Sequence, residues 1–311
     1  MICFLRRWLD ELVTVCFLLL VFGLVPFFPP EFATPGGRAL AVWVLRTVFP
    51  LFGLLLVTAY FVPRARRALR VLLEFAPILV GVLAYVSLKL MHASAITAWL
   101  GIPAKDHFML AADNLLFGKT LYLWLAQFPL FVARPFLQIM SICYSLYPFT
   151  PLLVVGWFLY CEDIAQVRLV RRTMILSLYG GYCCYLLIPV SGPLSIMQQP
   201  APLFIQSTLT YNYLMGNFRY VYDCFPSLHT ANPWLLLWLC RNRFPRWFVV
   251  VGALICFGIT FSTIALRMHY GIDDIAGIVW ACLIACLVHA TLPHASPVCA
   301  SADPLPQPAQ L

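Results

Sequence analysis

Eight apolar runs, at 11–28, 40–62, 72–91, 136–160, 173–190, 227–241, 247–264 and 272–291, leave this chain few folds to choose from. Most approach the ~20 residues that a helix needs to cross a hydrocarbon core. The run at 227–241 is shorter and opens with polar residues. A soluble domain carries about a quarter charged residues; here 10% are charged and 62% hydrophobic, more apolar surface than one soluble core can hide. The expected fold class is all-α: a polytopic helical membrane protein, with a six-helix catalytic bundle and about two further N-terminal transmembrane helices. No internal repeat is visible. No basic run is dense enough for nucleic acid.

Basic residues orient the runs, because cytoplasmic loops collect Lys and Arg. With the N-terminus inside, Arg6, Arg7, Arg64, Arg66, Arg67, Arg70, Arg168, Arg171, Arg172, Arg241, Arg243 and Arg246 all fall inside. Arg38, Lys105, Lys119, Arg134, Arg219 and Arg267 fall outside, twelve against six. This predicts eight spans with both termini cytoplasmic, as in a bacterial inner membrane. Residues 92–135, 190–226 and 265–271 then lie on the outer, periplasmic or lumenal side. Arg6 and Arg7 before an apolar run resemble a signal peptide, but "FFPPEF" follows in place of a cleavage site, so a retained first span is expected. Segment 104–136 mixes apolar and polar residues at helical spacing, which predicts short interfacial helices. The expected units are 1–91, N-terminal helices; 92–292, a membrane catalytic domain; and 293–311, a Pro/Ala-rich disordered tail.

The rare ionisable groups concentrate in two outer-side stretches, "DCFPSLHTA" (223–231) and "FSTIALRMHYGIDD" (261–274). Three successive helices running down, up and down would make them neighbours. His269 and Asp273 are spaced i, i+4 and would share one helical face. A carboxylate there can hold one imidazole nitrogen and leave the other as a nucleophile. His229 is then placed to protonate a leaving group. Ser227 and the helix start that follows it offer an anion seat, and Arg267 offers a cation for phosphate. Two imidazoles, an orienting acid, an arginine and a helix N-terminus suit phosphoryl transfer through a phosphohistidine. No metal or other cofactor is demanded. Most cysteines lie in apolar runs, and none shows metal spacing.

"PSLHTA" and "HYGIDDIAG" resemble the second and third signature motifs of the type 2 phosphatidic acid phosphatase superfamily. The likeness is nearest to the branch holding inositol phosphorylceramide synthases and their bacterial relatives. "DNLLFG" (113–118), "YSLYPFTPLL" (144–153) and "YLLIPVSGP" (185–193) are similar to further pieces, and the resemblance covers roughly 105–290. It implies that His269 is the nucleophile, that Asp273 orients it and that His229 protonates the leaving group. It implies a membrane enzyme acting on a phospholipid, phosphosphingolipid or isoprenoid phosphate. Two departures stand out. The wider family has Ser-Arg where this chain has Ser262 and Thr263, with Arg267 one turn later. Its first motif, Lys-x6-Arg-Pro, has its nearest counterpart from Gln127 to Arg134-Pro135.

Plainer roles compete for the flanking residues. Ser227 is an N-cap, a phosphate ligand or both; Arg267 is a phosphate ligand or an interfacial anchor. Lys119, Arg134 and Arg219 are outer-side cations that contact anionic lipid or a substrate phosphate. Asp274 reads as a polar contact or helix-start residue, and Asp113 and Asn114 as caps of an interfacial helix or walls of a headgroup pocket. Gly192 and Pro193 read as a turn closing the 173–190 span. His92, His107, His289 and His294 read as interfacial contacts. Three functions follow: a lipid phosphatase, a lipid phosphotransferase, or a non-catalytic lipid-binding or transport protein.

Overall fold

The computed structural model describes residues 9–19, 46–47, 49–62, scattered positions between 75 and 98, 100–196 and 220–291. These residues form helices, turns and loops, with no strand among them. Helix α1 covers 9–19, and α2 is Phe49–Phe61. Three short helices follow on segment 104–136: α3 (Asp106–Phe117), α4 (Leu121–Leu125) and α5 (Pro129–Val132). Next come α6 (Arg134–Ser145), α7 (Thr150–Tyr160), α8 (Ile164–Leu187) and the single turn α9 (Pro193–Ile196). The chain ends its described course in α10 (Leu228–Cys240), α11 (Arg246–Ala265) and α12 (Gly271–Thr291). The tail 293–311 lies outside the described residues.

Among the described residues three helical stretches are long and apolar enough to span a membrane: Arg134–Tyr160, Arg246–Ala265 and Gly271–Ala290. The first is broken by a 3-10 turn at Tyr147–Phe149, where Pro148 and then Pro151 interrupt the helical ladder. Helix α10 has 13 residues. At 1.5 Å per residue it is about 20 Å long, short of the ~30 Å hydrocarbon core. Its shortness matches the sequence, and its polar first turn sits where the site is built.

Helix α8 is the axis of the main core. Val167, Val170, Met174, Ile175, Leu178, Tyr179, Tyr182 and Tyr185 are all buried, packed with Val155 and Phe158 of α7, Leu228 and Leu235 of α10 and Ile284 of α12. Where hydrocarbon surrounds the protein, close packing replaces the hydrophobic effect as the force between helices. Gly277 of α12 shows how close: a Cβ there would lie 2.6 Å from the Ser227 carbonyl oxygen at the head of α10. The two histidine-bearing segments therefore meet backbone to backbone.

The apolar-run boundaries place Arg168, Arg171 and Arg172 in a cytoplasmic loop, but all three lie inside α8. Two of them are buried because α1 supplies the counter-charge. Asp10 accepts from Arg171 Nε at 3.0 Å and from Arg172 Nε at 2.8 Å, and Arg171 Nη2 also stands 3.7 Å from Glu11. This cluster ties the first helix to the core helix.

Candidate functional site

The site forms where α10 and α12 begin. Ser227 is the N-cap of α10, and its Oγ accepts from the Thr230 amide at 3.4 Å. The reading of Ser227 as a cap therefore describes its side chain. His229 follows in the first turn, half-buried, its ring stacked on Tyr144 at 4.3 Å and tilted against Tyr147 at 4.2 Å between centroids. The Tyr147 hydroxyl is held in turn by Asn232 Nδ2 at 2.9 Å. The ring of His269 lies 5.5 Å from that of His229.

His269 is buried and sits in the turn before α12, not on the helix. The i, i+4 spacing predicts a shared helical face for His269 and Asp273; the structure reaches the proximity by another route. Asp273 is the third residue of α12, and its Oδ2 reaches back to accept from the Tyr270 amide at 2.9 Å, one half of a capping box. That return brings the same oxygen to 3.6 Å from His269 Nδ1. A nearer partner holds the ring: the Cys224 carbonyl, 2.9 Å from Nδ1. A carbonyl can only accept, so Nδ1 carries the hydrogen and the lone pair is on Nε2. The peptide groups interlock further, since the Ser227 amide donates to the Asp273 carbonyl at 3.0 Å.

Asp274 is buried beside these groups. It accepts from Thr230 Oγ1 of α10 at 2.6 Å and from Thr263 Oγ1 of α11 at 2.8 Å. The polar-contact reading of Asp274 fits, with the addition that its contact spans three helices. Thr263, which replaces the arginine of the resembled motif, is thus a strut to Asp274.

Arg267 adopts a left-handed backbone at φ 62°, uncommon for a residue with a side chain. Its guanidinium is 4.1 Å from the Tyr122 ring centroid of α4, and its buried Nη1 has no protein hydrogen-bond partner among the described residues. A buried guanidinium nitrogen of that kind can take an anion as its partner. The other proposed cations are placed differently. Lys119 Nζ lies over Trp124 at 4.1 Å, Arg134 is exposed in the first turn of α6, and Arg219 lies outside the described residues.

Two aspartates of α3 complete the arrangement, and sequence reading assigned them no such part. Asp113 accepts from the Gly271 and Ile272 amides at 3.1 and 2.9 Å. It therefore caps α12, not the interfacial helix it belongs to. Burial pushes its carboxyl above the usual range, against the pull of those amides. Asp106 accepts from the Ser191 and Gly192 amides at 3.1 and 2.9 Å and from the Ser191 hydroxyl at 3.0 Å. It also takes a long contact of 3.4 Å from the Tyr270 hydroxyl, whose own pKa is raised by burial. The signal was present: two acids spaced i, i+7 occupy one face of a largely apolar helix.

Gly192 does form the turn after α8, and its φ of +86° explains the residue type. A Cβ there would also stand 2.4 Å from the Met268 carbonyl oxygen, next to His269. Gly192→Ala should therefore cost at least about 2 kcal/mol and lower the thermal unfolding midpoint in detergent, with the His269 turn displaced.

Donor atoms of Cys224, His269 and Asp273 lie within 4.8 Å of one another. Each is already engaged within the protein. The Cys224 thiol donates to the Met268 carbonyl at 3.2 Å, His269 Nδ1 to the Cys224 carbonyl, and Asp273 Oδ2 takes the Tyr270 amide. A cation would have to displace the thiol and Nδ1 contacts, while Asp273 Oδ1 is buried with no hydrogen-bond partner among the described residues.

A family model described as the PAP2 superfamily matches residues 107–287. No curated protein and no solved structure matches the chain.

Proposed function

The chain belongs to the PAP2 superfamily, whose model spans more than half of it, and from that premise we propose a lipid phosphatase working through a phosphohistidine. Membership itself makes the protein a membrane enzyme of the phosphatase or phosphotransferase type. The observation that carries the finer reading is the pair of imidazoles with ring centroids 5.5 Å apart, one of them held through Nδ1 by the Cys224 carbonyl.

In this reading His269 Nε2 attacks phosphorus, a P–N bond forms and the P–O bond to the lipid breaks. His229 gives its proton to the departing oxygen, then takes one from the water that cleaves the P–N bond. The Cys224 carbonyl and Asp273 hold Nδ1–H and support the positive charge that the ring gains. Arg267 and the start of α10 at Ser227 hold the equatorial oxygens. No step needs a metal. The substrate is a phosphate or pyrophosphate ester of a phospholipid, phosphosphingolipid or isoprenoid, and the site faces the periplasmic or lumenal side.

A second reading replaces water with a lipid hydroxyl, giving a phosphotransferase like inositol phosphorylceramide synthase. The aromatic walls at Tyr144 and Tyr147 favour it, because they shield one side of His229 from water.

Phosphate release from a panel of lipid phosphates and isoprenoid pyrophosphates, in EDTA, tests the first reading. Adding ceramide or diacylglycerol tests the second by mass spectrometry of the products. Release suppressed by EDTA would sink the metal-independent mechanism, and no product from the whole panel without and with acceptors would sink both readings and leave a lipid-binding or transport protein. Arg267→Gly keeps the left-handed backbone and removes the cation. It should lower kcat/KM by about 30- to 160-fold, the worth of a charge-assisted hydrogen bond of about 2–3 kcal/mol; an unchanged kcat/KM would remove Arg267 from the site.

A further inference from the structure

Helix α3 is amphipathic in the inverted sense. Asp106, Met109 and Asp113 are its buried residues, the two carboxylates 3% and 0% exposed. At about 100° per residue, Phe108 and Leu115 point to the opposite side, and they are 68% and 86% exposed. Leu116, 53% exposed, extends that apolar strip on one flank, while His107 and Asn114 form an exposed polar strip on the other. A helix in water would turn its leucines in and its acids out. One lying in a leaflet surface does the reverse if its protein side has polar groups to satisfy, as here.

The level of α3 is fixed by what it touches. Asp113 caps the first turn of α12, a membrane-length helix, and the Lys105 amide donates to the Pro189 carbonyl at 2.8 Å just past the end of α8. Thus α3 lies at the end of the bundle where the histidines are, at the depth where α12 enters the bilayer. Lipid is the occupant that this placement favours for its apolar face.

We infer that α3 is a membrane-seated positioning helix: Phe108 and Leu115 are sunk in the leaflet at the histidine end of the bundle, and through Asp106 and Asp113 that seat holds the His269 turn. Asp113 grips the two amides directly after Tyr270, and Asp106 grips the Ser191–Gly192 turn, which packs on Met268. Both carboxylates act through the backbone around His269 and are positioning residues. The consequence for catalysis rests on the reading of His269 as nucleophile; the seat itself does not.

Three measurements on the full chain in phosphatidylcholine–phosphatidylglycerol liposomes test this. A phosphatidylcholine with a diazirine in its acyl chain should label Phe108 and Leu115; no label over 106–117 overturns the seat. Hydrogen exchange at the Gly271 and Ile272 amides should rise at least tenfold in Asp113→Ala. It should also rise in Phe108→Glu/Leu115→Glu, which touches neither amide; unchanged exchange in the double variant overturns the coupling. Should the glutamates prevent folding, Phe108→Ser/Leu115→Ser gives the same comparison. Finally, a short-chain soluble phosphate ester should be turned over at least tenfold more slowly by Asp113→Ala at unchanged KM. Asp113→Asn, which keeps one acceptor oxygen, should restore part of kcat; no restoration, or a loss confined to KM, overturns the positioning role. If the wild type releases no phosphate, the proposed reaction fails, while labelling and exchange still judge the seat.

Discussion

His269→Asn should abolish phosphate release from a lipid phosphate ester, with a loss of about four orders of magnitude or more, as expected for removal of a covalent nucleophile. Asparagine is the informative replacement. Its side-chain amide nitrogen stands near the place of Nδ1 and can keep the donation to the Cys224 carbonyl, so the turn before α12 retains its support. What disappears is Nε2. Wild-type protein quenched during turnover of a 32P-labelled substrate should carry acid-labile, alkali-stable phosphate, and the variant should carry none. A variant that keeps a tenth of the wild-type rate, or still becomes labelled, would transfer the nucleophile elsewhere.

The largest stability effect is expected far from the histidines, at Asp10. This carboxylate is 1% exposed and, with Glu11 beside it, balances two guanidiniums that α8 holds inside the protein. Asp10→Ala strands Arg171 and Arg172 in a poorly polar environment, and breaking a buried ion pair in that way costs about 3–5 kcal/mol. The unfolding midpoint in detergent should fall by roughly 10 °C. Replacing the group together, as Asp10→Leu and Glu11→Leu with Arg171→Met and Arg172→Met, should recover most of the loss, because the penalty comes from the uncompensated charge. Equal midpoints for wild type and Asp10→Ala would show that the cluster contributes nothing.

Much of the bundle was legible because apolar runs report helices directly. The short polar-headed run at 227–241 became α10, and segment 104–136 became three short helices. The arginines of "RLVRR" were misplaced into a loop because their buried partner, Asp10, is about 160 residues away in sequence. At the site, motif spacing identified the two histidines and Asp273 as a group. The support of His269 was only partly readable: the Cys224 carbonyl that meets Nδ1 is a backbone atom, and every residue has one. Asp113 was read as a cap, correctly in kind, but on its own helix, since nothing local shows that its amides belong to Gly271 and Ile272. Of the candidate cations, Lys119 is stacked on Trp124 and Arg134 is exposed.

The grip of Asp113 on α12 bears on which anions this protein can discriminate. A helix start is an inviting place for any small anion, yet here two of its amides are already engaged by a tethered ligand. Tethering gives such a competitor an effective concentration of roughly millimolar or higher. Free orthophosphate arriving from bulk solution must outcompete it at that position with no other binding energy to draw on. On the proposed reading a lipid phosphate has its chains already dissolved in the bilayer, so its ester can be held at Arg267 and the start of α10 while the start of α12 stays closed to free anions.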